Sequence, residues 1–516
     1  MYEIDGQGLN FDDVYKIARL GTGIKLSPQA RKRMEKSRGW VEKIAKEDEA
    51  VYGINTGFGI FANERISKED IARLNRNLIL SHAVATGERL ADEVVRAAML
   101  IRANTLAAGY SGVRPVLVDR LIEMLNKGVT PEIPSQGSLG SSGDLAPLAH
   151  LALVLTRGEQ DKDEESGWAY FKGERMSGKA AMDKAGIERL QLEAKEGLGL
   201  TNGATFSAGM AALALHQAQT LMNTADTALA MSLEALMGAS AAFDERLHEA
   251  RKHFGQQHSA ANVRALTAGS ELLDQSERVQ DAYSLRCGPQ VHGPVWDTLR
   301  YIGEMVSAEL NAATDNPLLF GPGEAISGGN FHGEPVGLAM DYLKIGLSEA
   351  AAISERRTYH LTDGKMNNGL PAMLVDKPEE AGLHSGVMMA QYTAASLVLE
   401  NQNLAAPDSV HSLPTSGGQE DHNANAMTAA RNAMKVVDNC MHVLAIELYC
   451  AARALDLRLR ERGEMRMGKG VRQAYEAIRE RVPYRGEDSW WGPEIETVKE
   501  MVVERLFLDL MRKHVD

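Results

Sequence analysis

The chain has 516 residues, 44% apolar and 24% charged, the make-up of a soluble globular protein too long for one small core. Its formal net charge of −14 argues against a nucleic-acid or anionic-membrane surface. Cys287, Cys440 and Cys450 lack metal-ligand spacing and are too few for a disulfide framework, which fits a cytoplasmic protein. No apolar run is long enough to span a bilayer, and Met1-Tyr2-Glu3-Ile4-Asp5 lacks the basic and apolar regions of a signal peptide.

From Asn10 to Lys46 the pattern predicts short, polar helices, one of them starting at Ser27-Pro28. The glycines of Val51-Tyr52-Gly53-Ile54-Asn55-Thr56-Gly57-Phe58-Gly59 break any regular element and make this a loop. Helices are expected from near Lys68 through Ser81-His82-Ala83 and from Ala91 to Ala108. Next comes Gly137-Ser138-Leu139-Gly140-Ser141-Ser142-Gly143-Asp144, small residues leading into an apolar helical pattern from Leu145 to Leu153. Asp144 is the expected N-cap, and Pro147 falls in the first turn, where its missing N–H is tolerated. Such a stretch reads as a glycine-rich helix entry. It also permits a rarer chemistry, in which the Gly143 nitrogen closes on the Ser141 carbonyl while Ser142 loses water to become a dehydroalanine.

Residues 156–195 read as a surface excursion, with a solvated charge run from Glu159 to Glu165 and a short strand at Trp168-Ala169-Tyr170-Phe171. From Phe206 to Met237 apolar or small side chains occupy nearly every face, which predicts a helix buried all round. A second long helix is expected from Pro335 to about Leu361. A third follows Gln419-Glu420-Asp421-His422, with a packing seam at Met427, Ala430, Met434, Val437, Met441, Leu444, Leu448, Ala451 and Leu455. Strand-like alternation is scarce. The expected architecture is therefore mainly α, with a central bundle of very long helices over residues 201–462. A smaller N-terminal region, 1–200, carries the Tyr52 and Ser-Ser-Gly loops, and a C-terminal helical segment covers 463–516. Small residues on all sides of such long helices imply that subunits share the bundle.

Four polar or glycine-rich loops interrupt this pattern. Tyr52 is either a packed ring or a base. In Gln280-Asp281-Ala282-Tyr283-Ser284-Leu285-Arg286-Cys287-Gly288-Pro289-Gln290, Arg286 either clamps its loop or offers a bidentate fork to a carboxylate. Thr314-Asp315-Asn316-Pro317 is a turn ahead of Gly328-Gly329-Asn330-Phe331-His332-Gly333-Glu334-Pro335. The acidic residues of Leu413-Pro414-Thr415-Ser416-Gly417-Gly418-Gln419-Glu420-Asp421-His422 either cap a helix or face a ligand.

Taken together, YGINTGFG, GSLGSSGDLAPLAH, EGLGLTNG, QDAYSLRCGPQ, DNPLLF, SGGNFHGEP and LPTSGGQEDH resemble the aromatic amino acid ammonia-lyase and aminomutase family, most closely its histidine-specific branch. The blocks run in order from about residue 50 to 425. The resemblance implies a homotetramer with dihedral symmetry and active sites shared between subunits. It also implies a 4-methylidene-imidazol-5-one prosthetic group formed from Ser141-Ser142-Gly143, with Ser141 in place of the usual Ala. Such an electrophile answers two difficulties of ammonia elimination, a β-proton that is barely acidic and an amine that leaves poorly. No metal and no dissociable cofactor are implied.

Tyr52 matches the family's catalytic base, provided the site lowers its pKa. Ser142, Tyr283 and Glu420 join it as catalytic positions. Arg286 matches the carboxylate fork, with Tyr283 and Gln280 ordering the site. Asn202 matches a position near the prosthetic ring and the carboxylate, and Phe331 an aromatic residue beside the ring. His82 and Glu420 match the readers of the substrate side chain. A His and a Glu can partner the two imidazole nitrogens, so the expected reaction is L-histidine to trans-urocanate and ammonia. Thr205, Gly288, His292 and the acidic segment 376–381 depart from the histidine pattern. They leave a tyrosine or phenylalanine lyase, or a 2,3-aminomutase, as the same-family alternative. The fumarase-type lyases continue a Gly-Ser-Ser run into Met-Pro-x-Lys, which is absent here. An inactive helical scaffold is the non-catalytic alternative.

Overall fold

The computed structural model describes residues 1–46, 50–57, 59–61, 63–463 and 465–515, so Phe58 of the Tyr52 loop lies outside the described residues. Its helices, in chain order, begin with α1 (Phe11–Ala18), α2 (Pro28–Ile44), α3 (Ile71–His82), α4 (Asp92–Ala107) and α5 (Pro115–Lys127). Then come α6 (Leu145–Leu155), α7 (Gly178–Ala185), α8 (Glu196–Thr201), α9 (Thr205–Ala235), α10 (Glu245–Arg251) and α11 (Phe254–Leu266). The remainder are α12 (Tyr283–Arg286), α13 (Gly288–Glu309), α14 (Glu334–Thr362), α15 (Met388–Leu404), α16 (Ala426–Arg462), α17 (Lys469–Arg481), α18 (Gly492–Val503) and α19 (Leu506–Val515). Among the described residues, no helix is long and apolar enough to cross a membrane.

Local signals explain the helices that were foreseen. Ser27 Oγ accepts the Ala30 N–H at 3.0 Å and Pro28 opens α2, as the Ser-Pro pair predicts. Helix α9 runs 31 residues, and its side chains are buried on nearly every face. Helix α16 runs 37 residues, and every residue of its expected seam is buried except the half-buried Met434. Helices α13 and α15 were not foreseen. Gly288-Pro289 and Pro294 punctuate the first turns of α13 and hide its period, although burial of Val295, Leu299, Ile302 and Val306 holds it helical.

The surface excursion is a small antiparallel sheet. Trp168–Phe171 lies between Val129–Pro131 and Glu174–Ser177, with Phe171 opposite both Val129 and Glu174. Ala169 and Phe171 point inward, while the exposed Trp168 ring stacks under the Arg175 guanidinium at 4.0 Å.

The chain divides into two compact units. Unit one comprises Met1–His216, Gly303–Asp341 and Pro407–Asn432; unit two comprises Gln217–Ile302, Tyr342–Ala406 and Ala433–Asp516. Both departures near Pro289 have a packing reason inside unit two. A Cβ on Gly288 would collide with the Leu229 side chain, so Leu229 fills the space a larger residue would need. The fully buried His292 pairs through Nδ1 with Asp226 at 2.7 Å, and Asp226 also accepts from Ser259 and Asn262. A second buried set joins Arg357 to Glu447 at 2.6 Å, with Ser232 and Ser354 donating to the same carboxylate. With its acceptors met on both oxygens, Glu447 is a satisfied buried charge.

The C-terminal helices attach to unit two through another carboxylate. Glu234 of α9 accepts the N–H of Gly468, the residue that opens α17, at 2.9 Å. Burial pushes this carboxyl up from about 4.5 to about 8. The folded protein therefore holds a proton that the unfolded chain releases, so this group's contribution to stability falls as pH rises from about 4.5 to about 8. Glu234→Gln should flatten that part of the decline in a thermal-unfolding series across the interval, while an unchanged slope would show that Glu234 does not carry it.

Candidate active site

Ser142 sits where two helix N-termini meet in unit one. The Gly203 N–H donates to Ser142 O at 2.9 Å, and the Asp144 N–H donates back to Gly203 O at 2.9 Å. Gly143 and Gly203 thus form a two-residue bridge, with Gly143 at φ +83° and Gly203 at φ +98°. A Cβ on Gly143 would strike the Gly203 backbone, and one on Gly203 would strike Thr314 and Arg102. Glycine is required at both positions by close approach as well as by conformation.

Asp144 does not cap its own helix. Its carboxylate makes no capping bond to α6 and reaches instead to the start of α9. There it accepts the Ser207 N–H at 2.8 Å and the Ser207 hydroxyl at 2.9 Å, with Ser138 Oγ at 2.8 Å. The bridge to Gly203 turns the Asp144 backbone so that its side chain faces α9, which corrects the local reading. Burial pushes the carboxyl up against these donors. The fully buried Arg102 reaches the same junction, donating to Thr205, to Thr314 and to Gly199 O. The Thr205 departure therefore has a partner in Arg102.

In front of Ser142 lies a pocket of about 500 Å³ whose lining includes Tyr52, Ser142, Asn202, Asn316, Phe331 and Glu420. Ser141 is half-buried and does not line it. Glu420 comes from a turn in which the Thr415 N–H donates to Glu420 O at 2.8 Å and Thr415 Oγ1 to Glu420 Oε2 at 3.3 Å. Helix α16 begins only at Ala426, so Glu420 is free of capping and faces the pocket. His82 ends α3, its Nδ1 3.0 Å from Ser81 Oγ. Burial lowers its pKa below the ordinary histidine value, against an opposing pull from the nearby Glu420.

Tyr52 reverses an expectation. Burial raises its phenol above the ordinary value, and the charges of Glu420 and Asp315 push the same way. A hydrogen bond from the Gly59 backbone opposes them and does not prevail. Within this chain the phenolate is disfavoured, first by burial and then by the two negative charges nearby.

Behind Asn202 lies a pair that the sequence did not single out. Lys195 and Asp315, both fully buried, meet at 2.5 Å. Asp315 Oδ1 accepts from Asn202 Nδ2 at 3.0 Å and from the Asn316 N–H at 2.7 Å, and Asn202 Nδ2 also donates to Asn316 O at 3.1 Å. In the sequence Asp315 is legible only as part of a turn. Lys195 stands next to the EGLGLTNG block, yet no spacing signal ties it to a residue 120 positions away.

Gln280, Tyr283 and Arg286 belong to unit two and are not among the residues lining this pocket. Arg286 Nε donates to Asp281 O at 3.0 Å, so it does clamp its loop, and its guanidinium lies 4.6 Å from the exposed Tyr283 ring. Within unit one the structure thus brings Tyr52, Ser142, Asn202, Phe331 and Glu420 together, with His82 near Glu420.

This chain belongs to the aromatic amino acid lyase family, whose sequence profile matches residues 9–480. It is 49% identical to the histidine ammonia-lyase of Gloeobacter violaceus over 98% of this chain and 96% of that one. It is 51% identical to the histidine ammonia-lyase of Caldanaerobacter subterraneus, over 93% of this chain and 92% of the relative. Among solved structures, histidine ammonia-lyase from Trypanosoma cruzi superposes with a TM-score of 0.90 at 36% identity, covering 100% of this chain and 96% of that one. Tyrosine aminomutase from Streptomyces globisporus gives 0.92 at 34% identity, covering 100% and 99%.

The Asp144 clamp is open to direct measurement. Asp144→Ala strands the Ser207 N–H and should cost about 1–3 kcal/mol. The expected result is a lower unfolding midpoint and faster hydrogen exchange at the first turn of α9. Unchanged exchange there would mean that the clamp does not hold the helix start.

Proposed function

We propose that this protein is a histidine ammonia-lyase, converting L-histidine to trans-urocanate and ammonia. One observation carries the reading: a single pocket collects Tyr52, Ser142, Asn202, Phe331 and Glu420, with His82 close enough to feel the Glu420 charge. The curated relatives support it over nearly the whole chain. The structural likeness to tyrosine aminomutase keeps an aminomutase as the second reading, which product identity separates.

Ser141-Ser142-Gly143 fits a methylidene-imidazolone formed within the chain. Gly143 carries no Cβ to hinder ring closure, Ser142 lines the pocket, and Ser142 O already faces a backbone donor in Gly203. The side chain of Ser141 stays outside the ring-forming atoms, so Ser in place of Ala is compatible with closure. Once formed, such a group would supply an electrophile that activates the substrate amine for departure. No metal or dissociable cofactor enters this proposal.

The remaining work falls to side chains. The Glu420 carboxylate accepts from one imidazole nitrogen of the substrate, and a neutral His82 offers one donor and one acceptor to the ring. Phe331 packs against the same region. Tyr52 takes the β-proton, and this step calls for positive charge beside a phenol that burial and the chain's own carboxylates hold protonated. The substrate ammonium supplies some of that charge.

In our reading Arg286 of a second copy supplies the rest. Its guanidinium binds the substrate carboxylate bidentately, with Tyr283 and Gln280 ordering that loop. We take the enzyme to be a cytoplasmic homotetramer with shared sites, and an apolar groove on unit two supports a subunit contact there. A groove of about 620 Å³ on α13 and α14 is lined by Val291, Pro294, Val295, Tyr301, Tyr342 and Ile345, and the last three are exposed.

Two substitutions test the reading. Ser142→Ala should abolish urocanate formation and leave a chain that has lost no water, heavier by intact mass than the mature protein by two waters less the one oxygen removed with the serine hydroxyl. Retained turnover would remove the prosthetic group from the mechanism. Glu420→Gln should lower kcat/KM for histidine at least about ten-fold more than for tyrosine or phenylalanine, the selectivity expected of one lost polar partner. Equal losses on all three amino acids would deny Glu420 a part in side-chain choice.

A further inference from the structure

Asn202 presents one end of its amide to the pocket, and its surroundings decide which end. Both groups behind it, Asp315 Oδ1 at 3.0 Å and Asn316 O at 3.1 Å, are pure acceptors. The amide nitrogen must therefore point backward, using both of its hydrogens there, and the amide oxygen is left for the pocket that Asn202 lines. Asp315 cannot turn away. Its second oxygen is held at 2.5 Å by the fully buried Lys195, and its first also accepts the Asn316 N–H. Turning the Asn202 amide round would set its oxygen against a carboxylate oxygen and a carbonyl, with no donor to relieve either contact.

The geometry points to the buried Lys195–Asp315 pair as a positioning device that fixes Asn202 as a hydrogen-bond acceptor, directed at the ammonium group of the substrate and not at its carboxylate. This rests on the amino acid lyase reading above and sharpens it, since the family resemblance places Asn202 near both the ring and the carboxylate. An amide oxygen repels a carboxylate and attracts an N–H. The same acceptor then stays beside the nitrogen as the C–N bond breaks and ammonia departs.

Two ligands separate the alternatives: histamine, which keeps the amine and lacks the carboxylate, and imidazolepropionate, which keeps the carboxylate and lacks the amine. Binding is measured by calorimetry on the full-length Ser142→Ala protein, where no electrophile competes for the amine. Asn202→Ala in that background should weaken histamine roughly ten-fold or more, the loss of one charge-assisted hydrogen bond, and leave imidazolepropionate within about two-fold. A loss falling on imidazolepropionate, or equally on both, overturns the acceptor assignment.

Replacing the pair together, Lys195→Met with Asp315→Asn, avoids stranding one buried charge and frees the Asn202 amide to turn. Histamine should then weaken and imidazolepropionate tighten; an unchanged histamine preference overturns the positioning role. Should that double variant fail to fold, Asp315→Glu keeps the charge pair while displacing its oxygens, and the same shift in preference is expected. Failure of both ligands to bind even the Ser142→Ala parent would instead sink the imidazole reading, and this inference with it.

Discussion

Gly203 donates its N–H to Ser142 O and accepts from the N–H of Asp144, and on its other side it touches Thr314 and Arg102. Three chain segments, near residues 142, 203 and 314, therefore meet at a point with no room for a single methyl group. Three of the residues lining the pocket, Ser142, Asn202 and Asn316, are placed by that contact. Ser142 faces the cavity because its backbone is bridged there, Asn202 because it precedes Gly203, and Asn316 because it follows Thr314 and Asp315. The clamp also sets two helix starts at one place. Helix α6 begins just after Asp144, and the Asp144 side chain holds the first turn of α9. Backbone donors and helix dipoles thus converge where the proposed reaction needs to hold negative charge.

Charge is the other organising constraint, and within this chain the pocket is one-sided. Burial raises the Tyr52 phenol and Glu420 and Asp315 add to it, while the buried cations Lys195 and Arg102 are committed to Asp315 and to the Thr205–Thr314 junction. Among the described residues, the pocket lining includes no Lys or Arg to favour a phenolate. That deficit is a physical reason for the proposed tyrosine base to need the substrate ammonium and the guanidinium proposed to come from a second copy. It gives the proposed sharing of sites between subunits a chemical purpose beyond packing. It also ties base strength to occupancy, because the phenol is hard to ionise until positive charge arrives beside it.

Residues that depart from the histidine pattern turn out to be accommodated locally. Gly288 leaves its space to Leu229, His292 pairs with Asp226, and Thr205 accepts from Arg102. Gly288 and His292 lie in unit two and do not line the pocket, and Thr205 lies behind it as part of the Gly203 junction. Their contacts are those of support.

The long helices and the loops that carry chemistry were legible in the chain itself. Composition on every face marks α9 as buried, a sustained three-and-four step marks α16, and glycine clusters mark the loops, because each of these signals is local. The order of seven such blocks was enough to place the family. Partners chosen across the fold were not legible. Asp144 looks like a cap for the helix that follows it, yet it serves a helix start 63 residues on. Lys195 and Asp315 find each other across 120 residues, and the phenol of Tyr52 feels the charge of carboxylates from two distant segments. Hydrogen-bond direction and local charge depend on which groups folding brings within a few ångströms, and no periodicity along the chain records that choice. The sequence by itself determined that this is a helical lyase scaffold with a Ser-Ser-Gly loop. Only the tertiary structure decided what clamps that loop, which way Asn202 points and why the Tyr52 phenol holds its proton.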